Sequence, residues 1–129
     1  MCFPVTIGAH YHSVGGNSSI RFNLHNIHSA RSSCNKYSDT HKEGYRLGLQ
    51  IRYSKDYLEF IEGLKVEYSF IKLSSQEIKE KTKIVRSIIR TFESEEIKNE
   101  YKQKNAIELR DMFNKQIGIY ENSYAETKS

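Results

Sequence analysis

The chain has no tryptophan, no long apolar run and only two cysteines. Each shortage narrows what it can be. A membrane span needs about 20 successive apolar residues, and no window approaches that. The opening Met1-Cys2-Phe3-Pro4-Val5 has neither a positive start nor an apolar core, so no secretory signal is expected. Cys2 and Cys34 are too few for a disulfide scaffold and suit free thiols in a reducing cytoplasm. Phosphate loops of the Gly-x-x-x-x-Gly-Lys and Gly-x-Gly-x-x-Gly types are missing. Ser29, Ser32 and Ser33 lack the Gly-x-Ser-x-Gly setting of a nucleophile elbow. Up to residue 54 the only acids are Asp39 and Glu43, so paired carboxylates are not on offer there.

What remains is an ordinary soluble composition. A length of 129 residues suits one domain with one modest core. Nine tyrosines supply apolar area with a hydrogen-bonding tip, which suits half-exposed faces. Charge is unevenly placed. Residues 1–54 carry Arg21, Arg31, Lys36, Lys42, Arg46 and Arg52 against two acids, plus all five histidines. The other fourteen bases and fourteen acids cancel, so the net +4 sits in the N-terminal half. Localised positive charge favours polyanions or acidic protein surfaces.

Hydrophobic spacing predicts an α+β fold. A small antiparallel sheet from the N-terminal half would pack against two to three C-terminal helices. Val5-Thr6-Ile7 reads as a short strand ended by Gly8, and Gly15-Gly16-Asn17 as a turn. Residues 19–25 alternate, with Ile20, Phe22 and Leu24 on one side and Arg21, Asn23 and His25 on the other. The polar stretch 26–43 reads as a loop. Tyr45, Leu47, Leu49, Ile51 and Tyr53 alternate with polar residues and predict a second long strand, paired with 19–25. Ser54 is a candidate N-cap, and Tyr57, Phe60, Ile61 and Leu64 mark a short amphipathic helix over 55–64. Val66, Tyr68 and Phe70 favour a strand over 66–73, with continuation of the helix as the alternative. Ser74 and Glu77 have capping-box spacing ahead of a helical stripe ending at Phe92. Ser94-Glu95-Glu96 starts a further helical stretch with a polar patch at 102–105, read as one long helix or as two with a break there. Gly118 weakens its end, and 121–129 should fray. The organisation expected is one domain: a basic β-rich half to residue 54, a helical half over 55–120, and a tail. The wide stripe at Ile84-Val85 and Ile88-Ile89 leaves room for a homodimer.

Two chemistries suit these residues. Zinc takes three or four nitrogen or sulfur ligands, and His10, His12, His25 and His28 form a weak candidate set. Histidine also suits acid/base work on a phosphodiester, because it titrates near neutrality. In that reading His25 and His28, or His10 and His12, act on RNA while an arginine stabilises the phosphorane. The other route is binding. Arg21, Arg46 and Arg52 would share the wet face of the sheet, with Arg31, Lys36, Tyr37 and His28 approaching from the loop to bind RNA, DNA or a nucleoprotein.

A run of residues adds a resemblance. Ile20-Arg21, His28-Ser29-Ala30, Asn35-Lys36-Tyr37, Asp39, Gly44, Arg46-Leu47, Ile51, Ser54-Lys55, Phe60 and Leu64 occur in an order similar to that of small phage-encoded type II-A anti-CRISPR proteins. It spans about residues 19–64. The strongly basic N-terminal arm of those proteins has no counterpart here, and neither do they match the C-terminal helices. The resemblance implies a phage or mobile-element protein that inhibits a CRISPR effector or another host defence complex. The expectation taken forward is a non-enzymatic, cofactor-free inhibitor docking through its basic sheet. A histidine-dependent nuclease and a helix-mediated homodimer are the alternatives.

Overall fold

The computed structural model describes residues 6–31, 39–121 and 123–127. Two strands, β1 (Thr6–His10) and β2 (Ile27–Arg31), pair antiparallel, with His10 opposite Ile27 and Thr6 opposite Arg31. Between them run a turn at residues 14–16 and two 3₁₀ turns, Ser18–Ile20 and Leu24–Asn26. Helices α1 (Asp39–Arg52), α2 (Lys55–Glu67), α3 (Ser75–Thr91), α4 (Glu95–Glu100), α5 (Ala106–Ile117) and α6 (Tyr124–Thr127) follow. The α+β order of strands before helices is therefore present. The chain divides into two compact units, Met1–Ile71 and Lys72–Ser129.

The sheet is built from other residues than the alternation suggests. Residues 45–53 are helical, not a strand. The reason lies in the pattern itself. Tyr45, Leu49 and Tyr53 are spaced by four, so every second member of the alternating set falls on one helix face. That face is turned inward, with Leu49 only 2% exposed, while Leu47 and Ile51 are 49% and 85% exposed. The Tyr45 hydroxyl fixes the helix to the ribbon by donating to the Ala9 carbonyl at 2.7 Å.

Residues 19–25 form turns rather than a strand, and the expected split of sides is not kept, although Ile20 is buried. Asn23 and His25 are buried, while Phe22 is exposed. The Asn23 side chain accepts from the His25 amide at 3.0 Å, and the Asn23 amide donates to Ile20 O at 3.1 Å. Short polar side chains that bond locally compete with a ladder. β2 then occupies the start of the stretch expected to be a loop, and α1 begins before that stretch ends. Residues 66–73 form no strand either. Helix α2 continues to Glu67, the Tyr68 amide donates to Leu64 O at 2.9 Å, and Val66 and Phe70 are exposed.

The helix signals were more faithful. Ser54 caps α2 by accepting from the Tyr57 amide at 3.1 Å. Ser74 and Glu77 form the full capping box of α3, at 3.1 and 3.2 Å. The polar patch is a true break between α4 and α5, and Asn105 caps the latter by accepting from the Glu108 amide at 2.9 Å. Gly118 closes α5 at φ 81, the left-handed region that suits glycine. Among the described residues the tail is not frayed. The buried Asp111 carboxylate accepts from the Tyr124 and Ala125 amides, at 2.9 and 3.2 Å, and so holds the start of α6. Lys115 Nζ lies 2.6 Å from Glu126 and draws that carboxyl below its usual range. Phe92 packs edge-on against Phe113 at 5.1 Å in the same unit.

In the first unit Ile20, Leu49, Tyr57, Leu58, Ile61 and Leu64 form the apolar core. Tyr11 ties the end of the ribbon to α2, donating to Glu62 Oε1 at 3.1 Å, while Arg46 of α1 meets the same oxygen at 3.1 Å. Ile61→Ala should cost about 2–5 kcal/mol through lost burial and a cavity, read as a lower urea midpoint. Burial, with the Glu62 carboxylate beside it, pushes the Tyr11 phenol up to about 12. The unfolded chain ionises this group near pH 10 and the folded one later. Its contribution is thus complete below about pH 10 and is lost as pH rises towards about 12. Urea titrations over that window should show Tyr11→Phe losing less stability than the parent chain.

Candidate functional site

The five-residue β1 ends at His10, and the chain then leaves the ribbon for an excursion that returns at Asn26. Backbone and side chain close this excursion together. The Tyr11 amide donates to Asn26 O at 2.8 Å. Asn26 Oδ1 accepts from the His12 amide at 2.8 Å, and Asn26 Nδ2 donates to His12 O at 3.2 Å and Ile20 O at 3.5 Å. One buried carboxamide thereby satisfies three backbone groups across the neck of the loop.

His10 sits beside this clamp. Its Nε2 lies 2.7 Å from the Arg21 carbonyl. A carbonyl only accepts, so Nε2 carries the proton and Nδ1 of the neutral ring holds the lone pair. Among the described residues no hydrogen bond to Nδ1 is present, and the ring is half-buried. Arg21 therefore does two things. Its carbonyl orients the imidazole, and its guanidinium rests 4.6 Å above the Phe22 ring.

The other histidines are occupied within the core. His12 Nε2 donates to the Ile61 carbonyl at 2.9 Å, and its ring meets Tyr11 edge-on. His25 Nδ1 lies 2.8 Å from the Tyr57 hydroxyl. His28 Nε2 donates to the His25 carbonyl at 2.8 Å, with Tyr45, Tyr53 and Tyr57 rings around it. At 0% and 2% exposure, His25 and His28 have no access to a phosphodiester. His10 and His12 do not face the same way, since one ring meets Arg21 and the other Ile61. The four candidate zinc ligands thus go to separate partners, and among the described residues no group of three or more His, Cys, Asp or Glu side chains is placed to hold a metal.

The basic residues are likewise dispersed. Arg21 belongs to the connecting loop, and Arg46 and Arg52 to α1, so the shared wet sheet face is not formed. Arg46 is engaged by Glu62 at 3.1 Å and Glu43 at 3.7 Å. Arg52 is exposed at the end of α1. Arg31 ends β2, while Lys36 and Tyr37, like Cys2 and Cys34, lie outside the described residues. Sequence reasoning missed Asn26 and Tyr57, whose roles depend on partners 14 and 32 residues away. It found His10 as a candidate metal ligand and, paired with His12, as a candidate acid/base residue.

Compared with known families, residues 7–96 match the model described as NinG, Bacteriophage Lambda NinG protein. The chain belongs to this phage protein family. The NinG match runs from β1 into the start of α4 and takes in His10, Arg21, Asn26 and the whole core of the first unit. No curated protein and no solved structure matches. Among the described residues no helix is long and apolar enough to cross a membrane.

Asn26→Ala should leave the His12 amide and carbonyl without their buried partner, at about 1–3 kcal/mol for each orphaned group. The expected readout is a lower urea midpoint, with loss of amide-exchange protection centred on residues 11–13.

Proposed function

We propose that this phage-family protein is a nucleic-acid phosphodiesterase with His10 as its general base. The observation that carries this reading is the 2.7 Å bond from His10 Nε2–H to the Arg21 carbonyl. A ring held in that way is oriented and fixed in one tautomer, with Nδ1 free to take a proton. The reaction follows from that atom. Nδ1 takes a proton from a water or a 2′-hydroxyl as its oxygen bonds to phosphorus. The bond from phosphorus to the leaving oxygen then breaks, and that oxygen takes a proton from solvent. Arg21, whose carbonyl holds the ring, is assigned as the cation for the charge that builds on the phosphoryl oxygens. The burial of the other histidines supports the assignment to His10 rather than to His25 or His28.

The basic sheet face expected to dock a CRISPR effector is not formed, because residues 45–53 are helical and Arg46 is paired to acids. The phage origin that reading implied is retained by the family.

The test is cleavage of labelled single- and double-stranded DNA and RNA, with and without magnesium or manganese. The intact chain should cut at least one of them. His10→Ala should slow cleavage by about 10²–10⁴-fold with an unchanged circular-dichroism spectrum, while Lys102→Ala in the second unit should cut normally. Absence of cleavage on every substrate, or full activity in folded His10→Ala, overturns the proposal.

A further inference from the structure

The excursion that holds Arg21 also forms one wall of a small polar cavity. It has a volume of about 130 Å³ and is lined by Gly16, Asn17, Ser18, Ser19 and, from the end of α2, Lys65 and Tyr68, with Ile20 and Ser69 completing it. No carboxylate lines it. Its walls are joined by the Ser19 hydroxyl, which donates to Ser69 O at 3.3 Å and accepts from the Ile71 amide at 3.1 Å. The cavity is thus held open by bonds within the unit and needs no ligand to form. It offers one ammonium group and several hydroxyls, the donor set that recognises a phosphate.

Position adds to composition. Ser18 is three residues from Arg21, so their Cα atoms lie at most about 11 Å apart. Resting on the phosphodiesterase reading, we infer that this cavity seats a backbone phosphate of the nucleic-acid substrate, close to the bond that His10 attacks. Lys65 is the cation of this seat, and Ser18 is its hydroxyl donor. The seat positions the strand without reading its sequence, since all phosphates are alike.

The experiment measures binding of a fluorescein-labelled oligonucleotide by anisotropy across a salt series. The chains compared are the parent, Lys65→Ala, Lys65→Arg and Lys102→Ala, each checked for its circular-dichroism spectrum. Lys65→Ala should weaken binding on every sequence tested and reduce the slope of log K against log salt by about 0.9 on duplex or about 0.7 on single strands. Lys65→Arg should restore the slope, and Lys102→Ala in the second unit should bind as the parent does. An unchanged affinity and slope in Lys65→Ala overturns the inference. So does a Lys65-dependent site that takes inorganic phosphate while oligonucleotide binding is unaffected. Failure of the catalytic reading shows separately, as cleavage that persists in His10→Ala.

Discussion

The first unit turns on the carboxamide of Asn26. The chain leaves β1 after His10, makes a turn and two 3₁₀ turns, and must return in register for β2. A two-stranded ribbon has little stability of its own in water. Here its far end is closed by the bonds that Asn26 makes to both sides of His12 and to Ile20, within a core that excludes water. Buried bonds of this kind are worth most when every member is satisfied. The position of Arg21, and through it the orientation of His10, depends on that closure. The chemistry proposed for His10 would therefore depend on a pinned loop, although the residue itself stands at the end of a strand.

Much of the helical part could be read in advance, because its signals are local. Ser54, Ser74 with Glu77, and the break before Asn105 each depend on residues three or four apart, and each is found where the spacing places it. The sheet could not be read in this way. Tyr45, Leu49 and Tyr53 satisfy a strand period and a helix period at once, and tertiary partners separate the two: Leu49 is buried and the Tyr45 hydroxyl meets the Ala9 carbonyl. Asn23, His25 and Asn26 look like surface residues by composition. They are buried because they bond to the backbone and to Tyr57, and those partners are brought close only by the finished fold. The candidate site was visible as residue types. Its geometry was not, since nothing within a few positions of His10 announces that its ring will meet the Arg21 carbonyl.

The charges illustrate a related point. An excess of +4 in the N-terminal half suggests a surface for polyanions, but net charge says nothing about placement. Arg46 is engaged by two carboxylates, one from α2, and helps to join two helices. Lys65 belongs to a region of no net charge and was passed over, yet it stands in a polar cavity beside the loop that bears Arg21.

In the second unit the Asp111 carboxylate is buried and takes the amides of Tyr124 and Ala125. A buried carboxylate deprived of such donors carries a desolvation cost. The contact also joins residues more than a dozen positions apart, so helix α5 can form early but cannot settle its inward face by itself. On a ribosome, synthesis proceeds from the N-terminus, and this unit reaches its final packing only after the segment bearing Tyr124 has cleared the exit. Until then the α5 face around Asp111 stays hydrated, and the turn that bears Tyr124 is what dries it.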